Sequence, residues 1–173
     1  MGIIPLDVAN QILATFGINE PTPLYERRIT TGGFTFANFA DVLFESRFIF
    51  VMDDELELYA ICADIATALA ELGAAVDVET DEHVGTTGAL TSPHAAVVVR
   101  FDRSAGDHYA AGNAIIRAFQ QAAGDGVEFR GRPGDEAGDC WIYAVLTPQE
   151  WRELDLLPGG VIRLYFAPLK LSW

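Results

Sequence analysis

The chain is short of positive charge: 11 Lys and Arg stand against 25 Asp and Glu in 173 residues, for a net charge of −14 at pH 7. Phosphate backbones bind proteins through clustered Lys and Arg that release counterions, so a field of this sign speaks against nucleic acid as a partner. Cysteine is equally scarce. Cys62 and Cys140 stand alone, without a CxxC pair and without His at zinc-ligand spacing, so neither a structural zinc site nor a redox pair is signalled. Both are expected to be buried thiols.

Other absences narrow the chemistry. The three histidines, His83, His94 and His108, never fall at the spacing of a zinc-binding helix or hairpin, so no metal is expected. Neither G-x-G-x-x-G nor G-x-x-x-x-G-K-[ST] occurs, which leaves no phosphate cradle and no expected cofactor. No Ser or Cys lies in a nucleophile elbow or triad motif. No apolar run approaches the roughly 20 residues of a membrane span. The N-terminus MGIIPLD has no basic stretch leading into an apolar core, and Leu6 stands where a myristoylation motif has Ser or Thr. These features lead us to expect a cytoplasmic protein with no membrane partner.

What is present is a globular composition, half hydrophobic and about a fifth charged, at a length suited to one domain. The acids are unevenly spread. From Asp41 to Glu82 twelve acids face one base, Arg47, for a net of −11 in that segment. Such a surface either serves solubility or recruits a basic partner.

Helical periodicity places Leu6, Ala9, Leu13 and Phe16 on one face, between Pro5 and Gly17. Residues 18–33 carry two prolines and two glycines and are expected to form a loop. Phe36, Phe39, Ala40, Leu43 and Phe44 mark a second amphipathic helix. Phe48 to Met52 is a compact apolar run with the character of a buried strand. The carboxylates that follow are best explained as a helix start: Asp54 caps, Glu57 completes the reciprocal box, and Asp53 and Glu55 favour the helix dipole. Leu58, Ile61, Cys62, Ile65, Leu69 and Leu72 then keep a 3.6-residue period up to Gly73.

Val76 and Val78 alternate with Asp77, Glu79 and Asp81, the pattern of a strand with one charged face. A polar loop over 83–94, an apolar strand ending at Phe101, a helix opened by Ser104 and Asp107, and a strand over 127–130 complete a β-α-β-β-α-β series. That order is the ferredoxin-like one, an antiparallel sheet with both helices on one face, in which the second strand lies at an edge where charge blocks stray pairing. The tail adds a strand over Cys140 to Leu146, a helix begun by T-P-Q-E at Thr147, and a strand over Val161 to Phe166. We expect one α+β domain over 1–173: an N-terminal helical segment (1–47), a ferredoxin-like centre (48–131) and a C-terminal β-α-β extension (132–173).

No catalytic pattern is complete, so a non-enzymatic protein-binding or regulatory domain, inhibitor- or immunity-like, is the expected function. Its expected partner is a basic protein met by Asp77, Glu79, Asp81 and Glu82. The alternative is a small enzyme or metabolite-binding domain, with a pocket around Asp102, Asp107 and His108 and the imidazole as the acid-base group. Phe48, Phe50 and Phe101 occupy strands that carry base-stacking aromatics in RNA binders of this topology, but core packing explains them without a ligand.

Overall fold

The computed structural model describes residues 2–53, 58–80, 87–100, 108–133 and 140–169, and among them it forms a mixed α+β fold with seven α-helices and three small antiparallel sheets. The first sheet is a short ribbon, β1 (Ile3–Pro5) against β2 (Gly33–Thr35). Each strand runs straight into a helix, α1 (Leu6–Thr15) and α3 (Phe36–Leu43). Thr35 makes the second transition by accepting the Asn38 N–H at 3.2 Å, which satisfies one orphan donor of the first turn.

The loop expected over 18–33 holds a helix, α2 (Pro23–Arg28), started by Thr22 as cap and Pro23 in the first turn. The two prolines that suggested a loop include the one that starts this helix, since the missing N–H of a first-turn proline is an orphan in any case. The first helix also turns differently from the expected face. Val8, Ala9, Ile12, Leu13 and Phe16 are buried, while Leu6 is exposed.

The central sheet has the order β3 (Ile49–Asp53), β8 (Cys140–Leu146), β7 (Glu128–Gly131), β9 (Ala167–Pro168). The third sheet is a meander of β4 (Asp77–Thr80), β5 (Thr87–Thr91) and β6 (Ala96–Arg100). Helix α4 (Leu58–Glu71) packs on β3 and β4, and α5 (His108–Ala123) packs on β5, β6, β7 and α4.

The ferredoxin-like strand order is therefore not the one these sheets form. That order requires the first strand beside the third; here β3 pairs with β8, and β6 pairs with a strand the sequence concealed. Thr87–Thr91 lies in the segment expected to be a polar loop. Only its Leu90 is a large apolar residue, and that side chain is buried opposite Val97. Ser92 closes the hairpin: its Oγ accepts the N–H groups of His94 and Ala95 and donates to the carbonyl of Ala122 at the end of α5.

The tail holds the second correction. Val161–Tyr165, expected to be a strand, is a helix, α7, entered through Gly159 and Gly160 at φ 78° and 57°. Val161, Ile162 and Tyr165 are buried while Arg163 and Leu164 face solvent, a helical spacing that five residues are too few to reveal. Helix α6 (Pro148–Asp155) begins as expected, with Thr147 and Glu150 in a reciprocal capping box.

One core cluster runs from Ile4 to Phe166. Phe16, Trp151 and Phe166, from three distant parts of the chain, meet with ring centroids 5.8 to 6.1 Å apart. Ser46 accepts the Phe48 N–H and donates to the Phe16 carbonyl at 2.7 Å, which ties the N-terminal segment to the start of β3. The Tyr165 hydroxyl donates to the Phe36 carbonyl at 2.6 Å, across 129 residues.

Candidate functional site

The acidic strand starts from alternation. On β4 the side chains of Asp77 and Glu79 are exposed while Val78 between them turns inward, half-buried, opposite buried Leu90. The cross-strand neighbours of the two carboxylates are Thr91 and Ala89, neither of which carries charge. Neither acid takes part in an ion pair among the described residues. β4 is an outer strand of its sheet, so these carboxylates flank an edge along which no other described strand pairs. Asp81 and Glu82 follow in sequence and lie outside the described residues.

The alternative site falls almost wholly outside the described residues. Asp102 and Asp107 lie outside the described residues, as does the D-x-x-E cap at Asp54 and Glu57. His108 opens α5, with a side chain that is not described. Among the described residues no three His, Cys, Asp or Glu side chains cluster as metal ligands. No described helix is long and apolar enough to cross a membrane.

Two groups with nucleophilic potential are buried in their protonated forms. Burial pushes the Cys62 thiol up to about 12, well above its ordinary value, so little thiolate forms near neutral pH. Burial also raises the Tyr165 hydroxyl, an effect that nearby Arg132 only partly offsets. Phe48 and Phe50 are both buried, which rules them out as a stacking platform; Phe101 lies outside the described residues.

Sequence reasoning missed a cleft of about 320 Å³ between β3 and α4, walled by Ile49, Phe50 and Val51 on one side and Ile61, Asp64 and Thr67 on the other. The apolar run of β3 suggested a strand buried on every side. Val51 is instead 40 % exposed, on the outer strand of the described sheet. No local pattern marks a strand as an edge when its side chains are apolar on both faces.

The chain matches no protein-family model, no curated protein and no solved structure.

Proposed function

We propose that this chain is a non-enzymatic protein-binding domain of the cytoplasm, inhibitor- or immunity-like in mode, that meets a basic protein surface through β4. The observation that carries the reading is the pair Asp77 and Glu79: exposed, on one face of an outer strand, with uncharged cross-strand neighbours. A carboxylate with no ion-pair partner among the described residues keeps its field for an incoming Lys or Arg, which speeds encounter and sets orientation. The two acids that follow in sequence, Asp81 and Glu82, extend the same charge.

The test is affinity capture from host lysate with two baits, the wild-type chain and Asp77→Lys/Glu79→Lys, each eluted along a salt gradient. The wild type is expected to retain a basic protein that is released as salt rises. The double variant should bind that protein roughly tenfold or more weakly, since two exposed ion pairs at up to about 1 kcal/mol each are replaced by repulsion. A partner held equally by both baits, with the same salt dependence, contradicts the proposal.

A further inference from the structure

The cleft between β3 and α4 follows the edge of the strand rather than one of its faces. Successive side chains of a strand point to opposite faces, yet Ile49, Phe50 and Val51 all line this one cavity. Three consecutive residues meet one space only where that space runs alongside the backbone. The opposite wall, Ile61, Asp64 and Thr67, is a single stripe of α4 at three-residue steps.

The hydrogen-bond phase of the sheet settles which backbone groups face the cleft. The Val145 N–H donates to the Phe48 carbonyl at 3.0 Å, so Phe48 and Val145 form a bonded pair of the β3–β8 ladder. Bonded and non-bonded pairs alternate in an antiparallel ladder, which makes Val51 and Ile142 a non-bonded pair. The far side of β8 agrees: the Ile142 carbonyl accepts the Arg132 N–H at 2.9 Å and so points away from β3. Both the N–H and the C=O of Val51 therefore turn outward, at an edge along which no other described strand pairs. The Ile49 N–H is already used by the Ser46 carbonyl, so the open stretch begins at the Ile49 carbonyl.

We propose that this edge is a docking site for an extended basic segment of a partner protein, which adds to β3 as a fifth strand of the central sheet and seats alternate apolar side chains against α4. An edge with outward donors and acceptors beside a shaped groove recognises an extended backbone through ladder bonds and reads side chains through the pocket. The floor of Ile49, Phe50 and Ile61 accepts apolar groups. The charge facing the occupant is negative. Asp64 is exposed and in no ion pair among the described residues, whereas Arg47, the base in the lining, is tied to Glu71 at 2.7 Å.

The chain net charge of −14 sets a second copy of the chain against itself at this edge and favours a Lys- or Arg-bearing segment. The basic character of the partner rests on the reading above; the edge geometry does not.

The experiment pans a phage-displayed library of random dodecapeptides against the full-length chain, with Thr67→Trp as the counter-bait. Thr67 is exposed on α4, so the indole fills the cleft without disturbing the core. Selected peptides are expected to be basic with apolar residues at alternate positions. Thr67→Trp should weaken them at least tenfold, Asp64→Lys severalfold with a shallower salt slope, and Asp77→Lys/Glu79→Lys less than twofold.

The same peptides are then synthesised with N-methyl groups on one or the other alternate set of amides. One set should lose binding at least tenfold and the other should keep it, because only every second amide of an added strand faces β3. Binding indifferent to Thr67→Trp or to both methylation sets overturns the proposal, as does a dimer of the chain that Thr67→Trp dissolves. Peptides lost on Asp77→Lys/Glu79→Lys alone would sink the cleft and keep the acidic strand.

Discussion

The guanidinium of Arg130 lies 4.4 Å from the ring centroid of Trp151, with its Nη1 donating to Asp155 at 3.0 Å and its Nε to Glu128 at 2.8 Å. Arg130 is 4 % exposed, and the Trp151 indole N–H donates to the Glu128 carbonyl at 2.7 Å, so ring, cation and carboxylates form one closed set between β7 and α6. A buried charge is tolerable only when it is paired and hydrogen-bonded, and here carboxylates from two elements meet the guanidinium at once.

Replacing Arg130 with Met leaves the partly exposed Glu128 carboxylate without its partner and removes one of the two cations on Asp155, which keeps Arg163. Breaking a fully buried pair from one side costs about 3–5 kcal/mol, and because Arg163 and solvent compensate in part, urea denaturation of Arg130→Met should show a loss at or below about 3 kcal/mol.

The same cluster gives a pH dependence of definite sign. Burial alone would raise the Asp155 carboxyl, but hydrogen bonds from Arg130 and Arg163 outweigh it and hold the group below the ordinary range. A carboxyl depressed in the folded state contributes stability that is present above its unfolded value of about 3.9 and lost as pH falls through the folded value. Denaturation midpoints measured from pH 6 down to pH 2 should fall below about pH 4, and Asp155→Asn should flatten that part of the curve.

Thr147 and Glu150 satisfy one another's backbone N–H groups at the start of α6, at 2.9 Å for the Thr147 N–H and 3.3 Å for the Glu150 N–H. Thr147→Ala should cost about 1 kcal/mol by chemical denaturation. Glu150→Gln, which keeps an acceptor, should cost less.

Gly33 pairs with Pro5 at φ +147°, where an added Cβ would lie 1.9 Å from the Ile4 carbonyl oxygen. Gly33→Ala must push β2 off β1 and should destabilise by more than about 1 kcal/mol. Gly32, at φ +94° with open space around it, serves as the control: Gly32→Ala should show a smaller loss in the same denaturation experiment.

Cys62 should be silent to thiol reagents in the folded chain. With the Cys140→Ser change in place, Ellman's reagent at pH 8 should report no thiol until denaturant is added, because burial keeps the thiol protonated.

The long helices were legible because each repeats an apolar stripe over several turns: Ile61, Cys62, Ile65 and Leu69 on α4, and Ile115, Phe119 and Ala122 on α5. The Thr147 cap was legible because its partners lie within three residues. The acidic face of β4 was visible at Asp77 and Glu79 through strict alternation. Thr87–Thr91 escaped notice because a Gly and small polar residues hide a strand whose pairing comes from both neighbours. Val161–Tyr165 escaped because β-branched residues favour strands locally, and burial against the core decides otherwise.

By itself the sequence determined the surface charge, the mixed α+β character, the main helices and the lack of any metal or phosphate motif, since these follow from composition and from contacts a few residues apart. Tertiary structure alone decided that β3 lies beside β8, more than 80 residues away, and that no described strand pairs along its other edge, beside α4. Strand order is a choice among long-range pairings of similar local energy, set by which apolar surfaces close the core together. The phase of the ladder at Val51 is a consequence of that choice, which is why the cleft has no signature in the chain.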